Sequence, residues 1–206
     1  MAERKLGLVG VIVVAVVIAL GLTNSAAQGC PEIPTAGPRS AWAEDAKVTV
    51  YVDPTLPGWS NPSYQNVLRG VFSRWEGVGG SGVTFTVVTD GGRAQNPPAN
   101  SIGIVPGSSS THTGSLGVHS RSSSQITLND FSANPASMRS PLSHEIGHSF
   151  GLDDCRTCPV GSSVMAANGL PAPTPCDRQT IKANANYSGI DPPDWGGGGG
   201  GGERPG

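Results

Sequence analysis

The sequence "HEIGHSFGLDDC", residues 144–155, contains two histidines four positions apart and a glutamate directly after the first histidine. On an α-helix, residues four apart project from the same face, so the imidazoles of His144 and His148 can reach one metal ion. Glu145 is directed away from that ion and is suited to accept a proton from a water molecule beside it. The stretch therefore predicts a helix that carries a metal site together with a general base.

A third ligand for this site has to come from outside the two helical turns. The chain contains four histidines and none follows His148, so a third imidazole could come only from His112 or His119. The single glutamate after the motif, Glu203, belongs to a glycine-rich tail. Neither residue type therefore offers a ligand at the usual spacing.

Asp154, ten residues after His144, is the candidate that remains. Asp153 and the Cys155 thiolate are its rivals, because they are adjacent in the sequence. Gly151 lets the chain leave the helix through a left-handed turn, which folds the following residues back beneath the ion. The sequence favours Asp154 as the third ligand and leaves the two rivals open.

The extended pattern H-E-x-x-H-x-x-G-x-x-D resembles the signature of the metzincin zinc endopeptidases, in particular the matrixin- and snapalysin-like members, some of which carry aspartate as the third ligand. Met165, in "SSVMA", resembles the residue of the family's methionine turn. The resemblance covers residues 47 to 189, and its specific motifs lie within residues 144–165. It implies an α/β (α+β) fold: a small, twisted, mixed and mostly parallel sheet, a long helix, an active-site helix and a small C-terminal subdomain.

The resemblance also implies an activity, namely exported zinc-dependent endopeptidase. Zn²⁺ would be bound by His144, His148 and Asp154, and Glu145 would be the general base for peptide-bond hydrolysis. The structural floor of the metal site would consist of Gly151 and Met165. Some metzincins have a tyrosine two residues after the methionine, and this chain departs from that pattern with Ala167.

In this family, peptide or protein substrates bind in an extended conformation along an edge strand. The serine-rich run at residues 108–124 is our expectation for that rim. Two other functions remain open: a catalytically silent binding domain that keeps zinc for stability, and a zinc hydrolase acting on a different substrate class. Glu145 disfavours the first, because a purely structural site has no use for a carboxylate beside its first ligand.

Hydrophobic periodicity predicts the remaining elements. A helix begins at the Asn61 cap with Pro62 in its first position, and a later helix is capped by Thr174. The metal helix has Pro141 in its first turn and stops at Gly151. Strands are predicted at residues 47–53, 82–90, 101–107 and 124–130, with a short edge strand at 116–119. This order of strands and helices implies a mixed α/β sheet.

The termini and the cysteines indicate export. Residues 1–27 resemble a signal peptide, with a basic start, an apolar run and small residues at the cleavage site, although a retained membrane anchor stays open. We therefore expect a secreted or extracytoplasmic monomer without stable membrane association after cleavage. Beyond the signal, we predict an N-terminal segment (28–46), a catalytic domain (47–190) and a disordered glycine-rich tail (191–206).

Cysteine number and net charge add two constraints. Four cysteines in an exported chain favour two disulfide bonds, in any of three pairings: Cys30, Cys155, Cys158 and Cys176. A Cys155–Cys158 redox pair, half of a zinc knuckle and a lipid-modified Cys30 are weaker alternatives. Residues after the signal carry 11 basic and 14 acidic side chains, which is not the basic surface of a nucleic-acid-binding protein.

Overall fold

The computed structural model describes residues 29–37, 41–107 and 124–190, together with the backbone of residues 117–120. The predicted signal peptide (1–27), the predicted disordered tail (191–206) and most of the serine-rich run lie outside the described residues. Within the described part, no helix is long and apolar enough to cross a membrane.

A five-stranded mixed sheet forms the centre of the molecule, with the strand order β2-β1-β3-β5-β4. Four neighbouring strands are parallel, and only β4 runs antiparallel, against β5 at the edge. The strands are β1 (Lys47–Val52), β2 (Thr84–Thr89), β3 (Ser101–Pro106), β4 (Gly117–Ser120) and β5 (Gln125–Leu128). The predicted mixed, mostly parallel α/β fold is confirmed, and each predicted strand is present.

The burial of the strands follows their place in the sheet. In β1, Val48, Val50 and Val52 are fully buried while the residues between them are partly exposed, which is the period-two pattern of a strand with one covered face. β3 lies between β1 and β5, and its first five residues are all buried. Because successive residues of a strand point to opposite faces, this burial means that β3 is covered on both faces, as in an α/β architecture.

In the described part of the chain, four α-helices accompany the sheet: α1 (Pro62–Ser73), α2 (Gly91–Gln95), α3 (Arg139–Ser149) and α4 (Pro175–Ala185). The three predicted helices are α1, α3 and α4. The short α2 and the 3-10 turns at Val78–Gly80 and Pro135–Met138 were not predicted. The second of these turns runs directly into α3, so the metal helix begins two residues before Pro141.

Helix α1 and the residues directly after it pack against α3. The side chain of Asn61 accepts a hydrogen bond from the Ser63 amide at 2.9 Å and caps α1 as predicted. Beyond the end of α1, the fully buried Trp75 stacks on Phe150 with ring centroids 5.4 Å apart. The indole of Trp75 also donates to the hydroxyl of Ser143 on α3, at 3.1 Å. These contacts fix the position and rotation of the helix that carries the two histidines.

Two disulfide bonds are present, Cys30–Cys176 and Cys155–Cys158, and the described residues contain no free cysteine. The prediction of two disulfides is confirmed, and the pairing excludes Cys30 as a lipid acceptor. The bonds indicate an oxidising, extracytoplasmic environment for the protein.

The N-terminal segment packs against the domain rather than apart from it. Ile33 is buried in the core, and Thr35 forms an antiparallel bridge with Leu152. Further along, the carbonyl of Trp42 accepts a hydrogen bond from the hydroxyl of Tyr187 at 2.5 Å. The described residues before β1, 29–37 and 41–46, are therefore part of the folded unit.

Candidate metal centre

Three side chains converge at the C-terminal end of α3: His144, His148 and Asp154. One ligand atom from each residue lies within 4.8 Å of the other two. The carboxylate oxygen Oδ1 of Asp154 is 3.0 Å from Nε2 of His144 and 3.5 Å from Nε2 of His148. Ligand atoms at 2.0–2.1 Å around a tetrahedral ion lie about 3.4 Å apart, so the spacing suits one small cation.

The two imidazoles are oriented by backbone carbonyl groups. Nδ1 of His144 is 3.0 Å from the carbonyl oxygen of Val164, and Nδ1 of His148 is 2.9 Å from that of Leu152. A carbonyl oxygen only accepts, so Nδ1 of each ring donates to it, and Nε2 is the nitrogen turned toward Asp154. Both Nε2 atoms lie within 3.5 Å of Oδ1 of Asp154, and a donor set of two imidazoles and one carboxylate fits a divalent metal such as Zn²⁺.

The cluster is open to solvent on one side. The side chain of Asp154 is 57% exposed, whereas those of His144 and His148 are 23% and 16% exposed. The imidazole planes are nearly perpendicular, at 89°, with centroids 4.9 Å apart. A small molecule can therefore approach the three donor atoms from the side of Asp154.

A left-handed turn at Gly151 brings Asp154 to the histidines. Gly151 has φ of +84°, a conformation that side chains resist. The amide of Leu152 then donates back to the carbonyl of Gly147 at 3.2 Å, which closes the end of α3. Of the two rivals for the third ligand, Cys155 is in a disulfide and Asp153 is not in the cluster.

Met165 packs against the helix that carries the histidines. Its side chain is 2% exposed, and a Cβ added to Gly147 would come within 2.5 Å of its sulfur. Gly147 lies between His144 and His148 in the sequence, so Met165 contacts the turn of α3 that spans the pair. The absence of a side chain at Gly147 is what gives the methionine room there.

A buried carboxylate on α4 holds the loop that contains Met165. Asp177 is fully buried and accepts hydrogen bonds from the Ser163 hydroxyl at 2.5 Å and the Val164 amide at 3.1 Å. It also accepts from the amide and hydroxyl of Thr174, forming the predicted start of α4 as a capping box. Since the Val164 carbonyl binds His144, this network connects α4 to the metal cluster.

Glu145 lies beside the cluster in the sequence and is almost completely buried, at 6% exposure. Tyr187, by contrast, is occupied by its hydrogen bond to Trp42, and Ala167 offers no side chain for catalysis.

Sequence reasoning missed Gly147, Asp177 as a support for the turn, and the pairing of the N-terminal segment with the Asp154 loop. The amide of Asp153 donates to the carbonyl of Pro34 at 2.8 Å, and that of Ala36 to the carbonyl of Gly151 at 2.9 Å. Glycine at a helical interior position was the available signal for Gly147, because glycine disfavours helix and needs a packing reason there. Backbone pairing between distant segments leaves no comparable signal.

No protein-family model matches this chain, and no curated protein matches it. Among solved structures, 81 chains match. One of them, described as the structure of myroilysin, is 13% identical and aligns over 73% of this chain and 96% of its own length, with a TM-score of 0.46. A likeness this weak carries no argument about the site, whose chemistry must be derived from its own residues.

Proposed function

We propose that this chain is an exported zinc-dependent endopeptidase. The observation that carries the proposal is that one ligand atom each of His144, His148 and Asp154 lies within 4.8 Å of the other two. Two imidazoles and one carboxylate leave a tetrahedral zinc ion one position short, as in catalytic sites and unlike the closed sets of structural sites. The resemblance of residues 144–165 to the metzincin motifs supports the same function.

The roles of the chain's own residues follow from their positions. His144, His148 and Asp154 would hold Zn²⁺, which when bound supplies a Lewis acid for the scissile carbonyl and acidifies water. Glu145 would take the proton from the attacking water and deliver it to the leaving amine. The balanced reaction consumes one water molecule and breaks one peptide bond.

We propose that the substrate binds along the edge of the sheet. β4 is the antiparallel edge strand, and it contacts α3, which bears the two histidines. An extended peptide that pairs with a free sheet edge gains main-chain hydrogen bonds and places a peptide group near α3. We therefore propose peptide or protein substrates and no nucleic-acid partner.

The test is zinc content and casein cleavage by the full chain, produced by export so that both disulfides form. The wild type should hold one zinc ion and cleave casein. Glu145→Ala should keep the zinc and lose at least about 100-fold in cleavage, because general-base catalysis contributes on that scale. Asp154→Ala should lose zinc, whereas its neighbour Asp153→Ala, the matched control, should retain it.

Two results would contradict the proposal. One zinc ion with no cleavage of casein or a peptide library would indicate a catalytically silent binding domain. Absence of zinc from the folded wild type would exclude both functions.

A further inference from the structure

The side chain of Asp154 is exposed, yet its carboxylate lies close to both imidazoles. Because the Asp154 side chain is 57% exposed, surrounding side chains hold its carboxylate only weakly. Oδ1 nevertheless lies 3.0 Å and 3.5 Å from the two imidazole nitrogens. A ligand without close packing depends on the backbone on either side of it.

The backbone before Asp154 is fixed by hydrogen bonds. Leu152 is fully buried, its amide binds the end of α3, and its carbonyl lies 2.9 Å from Nδ1 of His148. The amide of Asp153 binds the carbonyl of Pro34 on the N-terminal segment. These hydrogen bonds hold the side of the loop that precedes the ligand.

The backbone after Asp154 is fixed by one hydrogen bond and a disulfide. Cys155 follows Asp154 directly, is 1% exposed, and donates its amide hydrogen to the carbonyl of Met165 at 2.9 Å. Its sulfur is bonded to Cys158, only three residues further along. The chain immediately beyond the ligand is therefore closed into a small covalent ring.

The loss of chain entropy caused by closing so short a ring stabilises the folded protein only slightly. The stabilisation from a cross-link grows with the length of the closed loop. Cys30–Cys176 spans 146 residues and Cys155–Cys158 spans three. Of the two bonds, the second is the weaker restraint on the unfolded chain and the stronger restraint on local geometry.

Burial argues against a redox role for the same pair. Cys155 is 1% exposed and Cys158 is 9% exposed. Thiol–disulfide exchange requires a thiolate to reach one of the sulfur atoms, and burial of both residues opposes that approach. The burial therefore favours a structural disulfide over a redox-active one.

We propose that the Cys155–Cys158 disulfide is a positioning element that holds Asp154 at the metal cluster. The proposal rests on the metal-binding part of the proposed function. Removing the bond leaves all three ligands in the chain, but the backbone after Asp154 is then held only by the hydrogen bond of the Cys155 amide to Met165, so metal affinity falls while the fold persists.

The test is the Zn²⁺ dissociation constant, measured by competition with a chelating dye on folded, metal-depleted full chain. Cys155→Ala with Cys158→Ala should weaken binding at least about tenfold, the scale of lost outer-sphere support. The matched control, Cys30→Ala with Cys176→Ala, should lower the unfolding temperature more and zinc affinity less. If the alanine pair does not fold, the serine pair at positions 155 and 158 replaces it.

A double-mutant cycle identifies the route of the effect. If the disulfide acts through Asp154, adding Asp154→Ala to the alanine pair should give the affinity of Asp154→Ala alone, within about twofold. Additive losses would overturn the proposal, as would an alanine pair with wild-type affinity. A wild type that binds no Zn²⁺ would instead overturn the proposed function, and this proposal with it.

Discussion

At the residue scale, the site depends on side chains that are small or absent as much as on its ligands. Gly147 lies one residue before the second histidine, and a Cβ there would meet the Met165 sulfur at 2.5 Å and the Trp75 ring at 3.4 Å. Both neighbours are buried. The turn of α3 between the histidines therefore tolerates no larger residue without displacing the methionine.

Gly147→Ala should destabilise the protein by about 1–3 kcal/mol, the usual cost of overpacking, although alanine is the better helix former. Gly70→Ala in α1 is the matched control, because its added Cβ meets nothing within 4 Å. That variant should gain about 0.5 kcal/mol or more. Urea denaturation measures both values, and equal effects from the two substitutions would refute the packing role.

Two buried tyrosines make a second prediction at this scale. The Tyr64 hydroxyl is buried without a hydrogen-bond partner among the described residues, whereas that of Tyr187 donates to Trp42. Tyr64→Phe should therefore be neutral or stabilising, and Tyr187→Phe should cost about 1 kcal/mol. Urea denaturation at pH 7 tests this, and a larger loss for Tyr64→Phe would contradict it.

The same tyrosines set an alkaline limit to stability. Burial raises the pKa of Tyr64 to about 12, with a contribution from the Asp130 carboxylate, and burial with the nearby Glu44 carboxylate does the same for Tyr187. The contribution of each neutral tyrosine to the free energy of unfolding is complete below the pKa of the unfolded chain, near 10, and is lost as the pH rises toward 12. Each phenylalanine variant should lose less stability than wild type between pH 9 and 11, as measured by denaturation at both values; equal losses would contradict this.

At the scale of elements, α4 supports the metal cluster from a distance. The carboxylate of Asp177 receives bonds from Ser163 and Val164 as well as from the helix cap, and the Val164 carbonyl orients His144. The capping sequence at Thr174 predicted where α4 begins. Sequence could not predict that the same carboxylate anchors a loop 13 residues earlier, because that contact depends on the tertiary packing of α4.

Asp177→Ala should cost about 3 kcal/mol or more, since it leaves several buried donors without an acceptor. Asn61→Ala, the control, removes the exposed cap of α1 and should cost about 1 kcal/mol. Denaturation curves give both values. Similar losses would show that Asp177 acts only as a helix cap.

At the scale of the whole molecule, much of the fold could be predicted because its signals are local. Alternating valines in β1, the Asn61 cap and the Thr174 cap each fixed an element, and the order of elements fixed the class. The disulfide pairing and the attachment of Pro34 and Ala36 beside the metal loop could not be predicted. Those contacts join distant segments, and four cysteines permit three pairings equally.

The long-range disulfide should be the main covalent contribution to global stability. Loss of Cys30–Cys176, in the double alanine variant, should lower the free energy of unfolding by about 4–5 kcal/mol, as expected for a closed loop of this length. Loss of Cys155–Cys158 should lower it by about 2 kcal/mol. Guanidinium denaturation compares the two, and the reverse order would contradict this division of roles.

The central claim is that His144, His148 and Asp154 together hold a zinc ion. X-ray absorption spectroscopy of the zinc-loaded full chain tests it most directly, because it distinguishes nitrogen and oxygen ligands from sulfur. We expect ligands at about 2.0–2.1 Å with the outer-sphere scattering of two imidazoles. A sulfur ligand at about 2.3 Å, or a zinc ion without imidazole scattering, would contradict the claim.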